Sequence, residues 1–236
     1  MKDLLDVHTH TIASGHAYSS LREMTAAAKE KGLALLGITE HAPEMPGSCH
    51  EIYFHNFKVI DRQAFGIPLL MGCELNIMDF TGSVDLDIPT LKKIDYAIAS
   101  LHDPCIRHGS VEENTTALIG AMQNPYVQII GHPDNGNYPV DYERLVRAAK
   151  KHHVLLEVNN NSCNPVSGRK NSWQNALTML AYCKTEGVSV IMNSDAHIDL
   201  DVGNHRCSLQ LIEEANFPEE LVVNNSIEKF LSFLHT

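Results

Sequence analysis

Short apolar runs alternate with segments of helical periodicity along the whole chain. Residues 4–7, 33–39, 67–73, 94–100, 127–131, 154–158 and 189–193 read as strands. Between the first two, "SSLREMTAAAKEKG" reads as a helix, with Ser20 three positions before Glu23 as a capping box and Gly32 at its end. Further helices are expected over 111–122, 141–153 and 172–186, and two more within 205–216 and 226–234. Strands that alternate with helices imply a mostly parallel sheet. No linker or low-complexity stretch interrupts the pattern, so residues 1–236 read as one domain.

The residues that close these strands are of one chemical kind. The first strand ends at His8 and His10, the second at His41, the third at Glu74, the fourth at His102, the fifth at His132 and the seventh at Asp195 and His197. From His8 the steps are 33, 33, 28 and 30 residues, then 63 to Asp195, which is two units. A strand plus its crossover helix takes roughly 30 residues, so the ligand spacing is the spacing of the fold. The groups meet at the carboxyl-terminal mouth of a parallel sheet, where α/β barrels carry their chemistry. An open doubly wound sheet collects ligands mainly at one switch point. Contributions from nearly every strand favour a distorted (β/α)7, TIM-like barrel.

With His16 from the first loop, the set is His8, His10, His16, His41, Glu74, His102, His132, Asp195 and His197. Nine donors are too many for one zinc, which takes about four. They suit two or three ions sharing a carboxylate, and Glu74 and Asp195 are the carboxylates available. Imidazoles with few carboxylates favour zinc, manganese or iron over calcium or magnesium. A single strand-end histidine is more often structural than a ligand, and the loop residue His16 fits that alternative best. Histidines 50, 55, 108, 152, 153, 205 and 235 fall outside the pattern; His152 and His153 end a helix, where a cation suits the macrodipole. Cys73, beside Glu74, should face the other side of its strand and pack there.

Composition narrows the picture further. The net charge is −11 and no basic run exceeds "AAKKHH", which argues against a phosphate-neutralising surface for long nucleic acid. Bound cations could still draw in a small anionic substrate. Six scattered cysteines without a C-x-x-C pair favour free thiols in a reducing cytoplasm. The longest apolar runs, such as "LALLGI", are far too short for a membrane span, and the N-terminus lacks secretory-signal features.

The stretches "DVHTHTIASGHAYSS", "GITEHAP", "GCELNI", "ASLHDP", "IIGHPDN", "LEVNNNS" and "NSDAH" resemble, in order, the motifs of the PHP (polymerase and histidinol phosphatase) family, most closely its YcdX-like branch of stand-alone phosphatases. The resemblance runs from Asp6 to about His197 and implies a (β/α)7 barrel with a trinuclear site, often zinc. It implies that His8, His10, Glu74 and Asp195 hold one ion, that Glu74 bridges to a second held by His102 and His132, and that His16, His41 and His197 hold a third. Glu40 stands where many members carry aspartate, which puts a supporting role at that position in question.

The expected activity is metal-dependent hydrolysis of a phosphate ester on a small phosphorylated substrate. Arg169, in "NPVSGRKNS", is the candidate phosphate clamp; its alternative is a solvated loop charge beside Lys170. Asp195 is a candidate acceptor for the proton of the attacking water. The rival readings are a 3′–5′ exonuclease-type phosphodiesterase, a metal-loaded binding or regulatory module with little turnover, and a hydrolase of C–N bonds. A homo-oligomer is compatible with the sequence.

Overall fold

The computed structural model describes residues 2–234, so His235 lies outside the described residues. Seven parallel strands follow one another in sequence order: β1 (Leu5–Asp6), β2 (Leu35–His41), β3 (Leu69–Asn76), β4 (Ala97–Ser100), β5 (Val127–Ile130), β6 (Leu155–Asn159) and β7 (Val190–Asn193). The ring comes close to closing: β1 meets β7 through a parallel bridge between Thr9 and Ala196, and the His10 amide donates to the Ala196 carbonyl at 2.8 Å. This is the distorted (β/α)7 barrel expected from the spacing.

The helices are α1 (Leu21–Glu30), α2 (Ile52–His55), α3 (Ile88–Leu91), α4 (Val111–Met122), α5 (Tyr142–His152), α6 (Ser172–Glu186), α7 (Arg206–Glu214) and α8 (Ile227–Leu231). The Ser20–Glu23 capping box forms as the sequence predicts, and α4 carries a second one, Ser110 with Glu113. The connections β2–β3 and β3–β4 carry only the single turns α2 and α3 between them, together with short 3-10 segments. The first strand is shorter than expected, so His8 and His10 lie beyond it.

Period-2 alternation sorts the strand residues into two cores. Leu36, Ile38, Met71, Cys73, Leu75, Ala99, Leu156 and Met192 pack outward against α1, α4, α5, α6 and α7. Leu5, Val7, Leu35, Ile98, Ile129, Leu155 and Ile191 fill the barrel, where Tyr96 and Phe230 join them. Two positions further along each strand, the inward places fall to Gly37, Gly72, Ser100, Gly131, Glu157 and Asn193. Two of these glycines have a steric reason. A Cβ on Gly37 would meet the Tyr96 hydroxyl at 2.0 Å, and one on Gly72 would meet the Tyr96 ring at 2.9 Å. The next inward level belongs to Thr39, Glu74, His102, Asn159 and Asp195. Apolar floor, small middle and ligand-bearing top thus succeed one another along the barrel axis.

One expectation from the cysteines is corrected. Cys163 and Cys207, 44 residues apart, are joined in a disulfide, while Cys49, Cys73, Cys105 and Cys183 are free. Their spacing conceals the pair because the turn after β6 and the first turn of α7 meet only in the folded chain, and it therefore says nothing about compartment. Cys73 is fully buried in the outer core, as expected. No helix of the described residues is long and apolar enough to cross a membrane.

His205, just before α7, ties the barrel's first strand to its last helices. Its Nδ1 lies 2.6 Å from Asp3 Oδ2 and its Nε2 3.6 Å from Asp6 Oδ1, while Asp6 also accepts from the amides of Ser194 and Gly203. Burial by itself would lower the His205 pKa, but the two aspartates outweigh it and raise it from 6.5 to about 9. A folded-state pKa above the unfolded one stabilises fully below about pH 6.5 and loses that contribution as pH rises through 9. The shift corresponds to on the order of 3 kcal/mol. His205→Asn is therefore expected to lower Tm most at pH 6, with the gap from wild type closing by pH 9.5. Thermal melts of both proteins at the two pH values check this, and a gap that widens with pH would refute it.

Candidate metal centre

Glu74, at the top level of β3, is the hub. Its Oε1 lies 2.7 Å from Ser100 Oγ, 3.0 Å from His132 Nε2 and 3.2 Å from His102 Nε2. Its Oε2 lies 2.8 Å from His41 Nδ1, 3.3 Å from His8 Nε2 and 3.5 Å from His10 Nε2. His41 is its register partner on β2. Asp195 Oδ1 stands 3.6 Å from His8 Nε2 and 3.5 Å from both His10 Nε2 and His197 Nδ1.

These short approaches are not a satisfied hydrogen-bond network. His8 Nε2, His10 Nε2, His41 Nδ1 and Glu74 Oε2 are buried without any hydrogen-bond partner, although His41 and Glu74 are only 2.8 Å apart, because the angles are wrong for a hydrogen bond. An unpartnered buried polar atom costs about 1–3 kcal/mol, and four facing one another are what a cation would resolve. Three overlapping sets have donors within 4.8 Å of one another: His8, His10 and Glu74; His41, Glu74 and His102; and His10, His41 and His197. The residues form a His/Glu metal-binding cluster that fits divalent ions.

The protonation states suit ligation. Burial, then the neighbouring His197 and His41, push the His10 pKa well below its usual value. Burial and Arg169 bring His132 to about 4; partial burial of the ring, with His41 and His197 beside it, brings His16 to about 4. Neutral imidazoles at physiological pH offer lone pairs. His8 differs: burial opposes its charge, but Glu157, Glu74 and Asp195 overcome that and raise its pKa, so a cation there displaces a proton. Glu74 and Asp195 are both held well below the usual carboxylate range: burial would raise them, but the charge on His8 foremost, joined at Asp195 by Arg169, outweighs it.

Three of the imidazoles are aimed from behind. His8 Nδ1 lies 2.7 Å from Glu157 Oε1, His102 Nδ1 lies 2.7 Å from Asn76 Oδ1, and His10 Nδ1 lies 3.0 Å from Ser14 Oγ. Ser14 in turn donates to Glu40 at 2.6 Å, and Glu40 also accepts from the Thr11 amide and hydroxyl, so Glu40 does support the site from behind His10. Glu157 further accepts from the His132 amide at 2.7 Å and from Asn159 and Asn193. Such backing fixes tautomer and ring orientation. Glu157, Asn76 and Ser14 are absent from the ligand set read from the sequence; the inward parity Leu155–Glu157–Asn159 was the signal for the first. Two of the ligand candidates, His132 (φ 30°) and Asp195 (φ 55°), hold left-handed backbone conformations, the strain typical of functional turns.

His16 is exposed and outside the three tight sets, yet its ring lies 4.9 Å from those of His41 and His197. Arg169 is drawn in rather than solvated. Its Nη2 donates to Asp195 Oδ2 at 2.9 Å, and its Nη1 donates to Asn159 Oδ1 at 2.9 Å and Ser162 Oγ at 3.0 Å. The centre opens into a cavity of about 470 Å³ bordered by His16, His41, Met45, Val166, Ser167 and Arg169.

Comparison with known proteins agrees with this arrangement. Residues 6–163 match the family described as PHP domain. The chain is 49% identical over 232 residues to a probable phosphatase of Caldanaerobacter subterraneus, covering 98% of this chain and 91% of that one. It is 48% identical over 230 residues to a probable phosphatase of Caldicellulosiruptor saccharolyticus, covering 98% and 95%. A crystal structure of histidinol phosphate phosphatase from Lactococcus lactis, complexed with zinc, L-histidinol and phosphate, superposes with a TM-score of 0.63 at 18% identity, covering 92% of this chain and 95% of that one. That likeness is one of fold.

Two substitutions separate donors from their supports. Glu74→Gln is expected to leave the protein with at least one fewer tightly held ion than wild type, measured by elemental analysis after gel filtration. Glu157→Gln is expected to keep the ion count under saturating metal while weakening affinity roughly 10- to 100-fold in chelator competition. Equal affinity in Glu157→Gln and wild type would remove Glu157 from its supporting role.

Proposed function

The chain belongs to the PHP domain family, and we propose that within it this protein is a phosphomonoesterase of the YcdX-like, stand-alone branch, working with three divalent cations, zinc foremost. It is a metal-dependent hydrolase of phosphate esters of small metabolites. The observation that carries the reading is the set of buried, unpartnered imidazole and carboxylate atoms that converge beside Arg169. Its near-full-length similarity to proteins named as probable phosphatases supports the stand-alone assignment. The net charge of −11 favours small substrates over long nucleic acid.

In this reading His8, His10, Glu74 and Asp195 hold one ion, Glu74 with His102 and His132 a second, and His16, His41 and His197 a third. The bound cations would bring the pKa of a coordinated water towards neutrality and offset phosphoryl charge. Arg169 clamps the phosphate: Asn159, Ser162 and Asp195 engage three of its five N–H groups, which leaves two for phosphoryl oxygens. Asp195 orients that guanidinium through Oδ2 and turns Oδ1 towards the histidines, where it can take the proton of the attacking water. Its depressed pKa makes it a weak base, so orientation is its larger contribution.

The test is paired kinetics and metal analysis. Metal-loaded protein is expected to hydrolyse aryl and alkyl phosphates, to lose activity with a chelator, and to regain it with zinc or manganese. Arg169→Ala is expected to keep its metal and fold while kcat/KM falls by about 30- to 1,000-fold, with Arg169→Lys recovering only part. Near-normal kcat/KM in Arg169→Ala would leave phosphate binding to the ions alone. Cleavage of amides with no phosphate ester hydrolysed would move the protein to the C–N hydrolases.

A further inference from the structure

Beside the metal centre lies a second cavity, of about 260 Å³, to which the reading above gives no role. Asn161 and Asp195 line both cavities, so they share a wall at the point where the phosphate would sit. Most of the rest of the second cavity comes from the turn after β6 and from α7 with the segment leading into it: Asn160, Asn164, Asp201, Asn204, Arg206 and Gln210, with the Cys163–Cys207 disulfide between them. No aromatic ring lines it.

The lining has a definite chemistry. The carbonyl oxygens of three amides are already taken: Asn160 accepts from the Cys207 amide, Asn164 from the Val166 amide and Asn204 from the Arg206 amide. Asn161 likewise accepts from the Asn164 NH2 group, so the NH2 groups of Asn160, Asn161 and Asn204 are those left for a ligand. Among the described residues, the Arg206 guanidinium, the Asp201 carboxylate and the Gln210 amide make no side-chain hydrogen bond or ion pair. Donors and acceptors thus stand side by side. The charges of Arg206 and Asp201 cancel, and that of Asp195 is engaged by Arg169. A second anionic group would face the Asp201 carboxylate, and a flat base would find nothing to stack on. Hydroxyl groups, each both donor and acceptor, match the lining.

We propose that this cavity receives the alcohol portion of the substrate and that its preferred occupant is an uncharged, hydroxyl-rich one, making the substrate class sugar or polyol monophosphates. The inference rests on the phosphatase reading and adds its specificity: the metal centre and Arg169 hold the phosphate, and Asp201, Asn204, Arg206 and Gln210 select what it is esterified to.

The experiment compares hexose 6-phosphate with n-hexyl phosphate, two primary phosphate esters with similar leaving alcohols but different hydroxyl content. It is run on metal-loaded wild type and on the double variant Gln210→Leu/Asp201→Leu. Both positions are exposed, so the fold is not at risk. Wild type is expected to favour the sugar ester in kcat/KM by at least about tenfold, the worth of one or two neutral hydrogen bonds. In the double variant the ratio is expected to fall towards one. Equal rates on the two esters, or a preference unchanged in the double variant, overturns the inference while leaving the phosphatase reading intact. A higher kcat/KM on hexose 1,6-bisphosphate overturns the choice of an uncharged group. No hydrolysis of any phosphate ester overturns the phosphatase reading and this inference with it.

Discussion

The structure turns on burying Glu74 and Asp195 together with a knot of imidazoles at the top of a barrel. Two carboxylates at 1% and 4% exposure would be costly among apolar side chains. They are tolerable here because every neighbour is either a positive charge, a hydrogen-bond donor or a lone pair that a cation would complete. The unpartnered atoms of His8, His10, His41 and Glu74 remain as the feature that protein groups alone do not resolve. In most interiors such atoms would be a defect; here they mark the place where the fold expects a partner that is not an amino acid.

The barrel makes this possible by spending its interior in layers. Leucines and isoleucines from six strands form the floor with Tyr96 and Phe230, and the Tyr96 hydroxyl donates to the Val7 carbonyl at 2.7 Å. Gly37 and Gly72 give up their side chains so that Tyr96 fits. Gly131 does the same near the top, where a Cβ would meet Ser100 Oγ at 2.2 Å. The apolar floor and the larger core between barrel and helices therefore supply the hydrophobic burial, and the mouth is left free to be polar. Chemistry and stability are separated along one axis, a few residues apart on the same strands.

The turn after β6 joins the two halves of the proposed chemistry. With Asn159 at the end of β6, it supplies Ser162 to hold Arg169, and it supplies Asn160 to accept from the Cys207 amide in the first turn of α7. The Cys163–Cys207 disulfide ties that turn to α7 across the second cavity. The residue that would touch phosphate and the residues that would touch the alcohol are thus mounted on one braced segment. Movement there would disturb catalysis and selectivity together.

Much of this was legible in the sequence because it is periodic. Strand and helix alternation announced the barrel, and the roughly 30-residue recurrence of His, Glu and Asp at strand ends announced where the donors meet. The capping box at Ser20 and the outward packing of Cys73 followed from local rules. Other features have no local signature. Glu157 looks like any strand acid until the segments that follow β1 and β5 bring His8 and His132 beside it. Arg169 reads either as a phosphate clamp or as a solvated loop charge, and only the fold, which brings Asp195 to within 2.9 Å, draws it in. Cys163 finds Cys207, and His205 finds Asp3 and Asp6, across separations of 44 to 202 residues. Sequence determines which side chains stand on which face at which level, because that depends on a repeat of two along each strand. Which of them meet depends on closing the ring, and only the tertiary structure decides that.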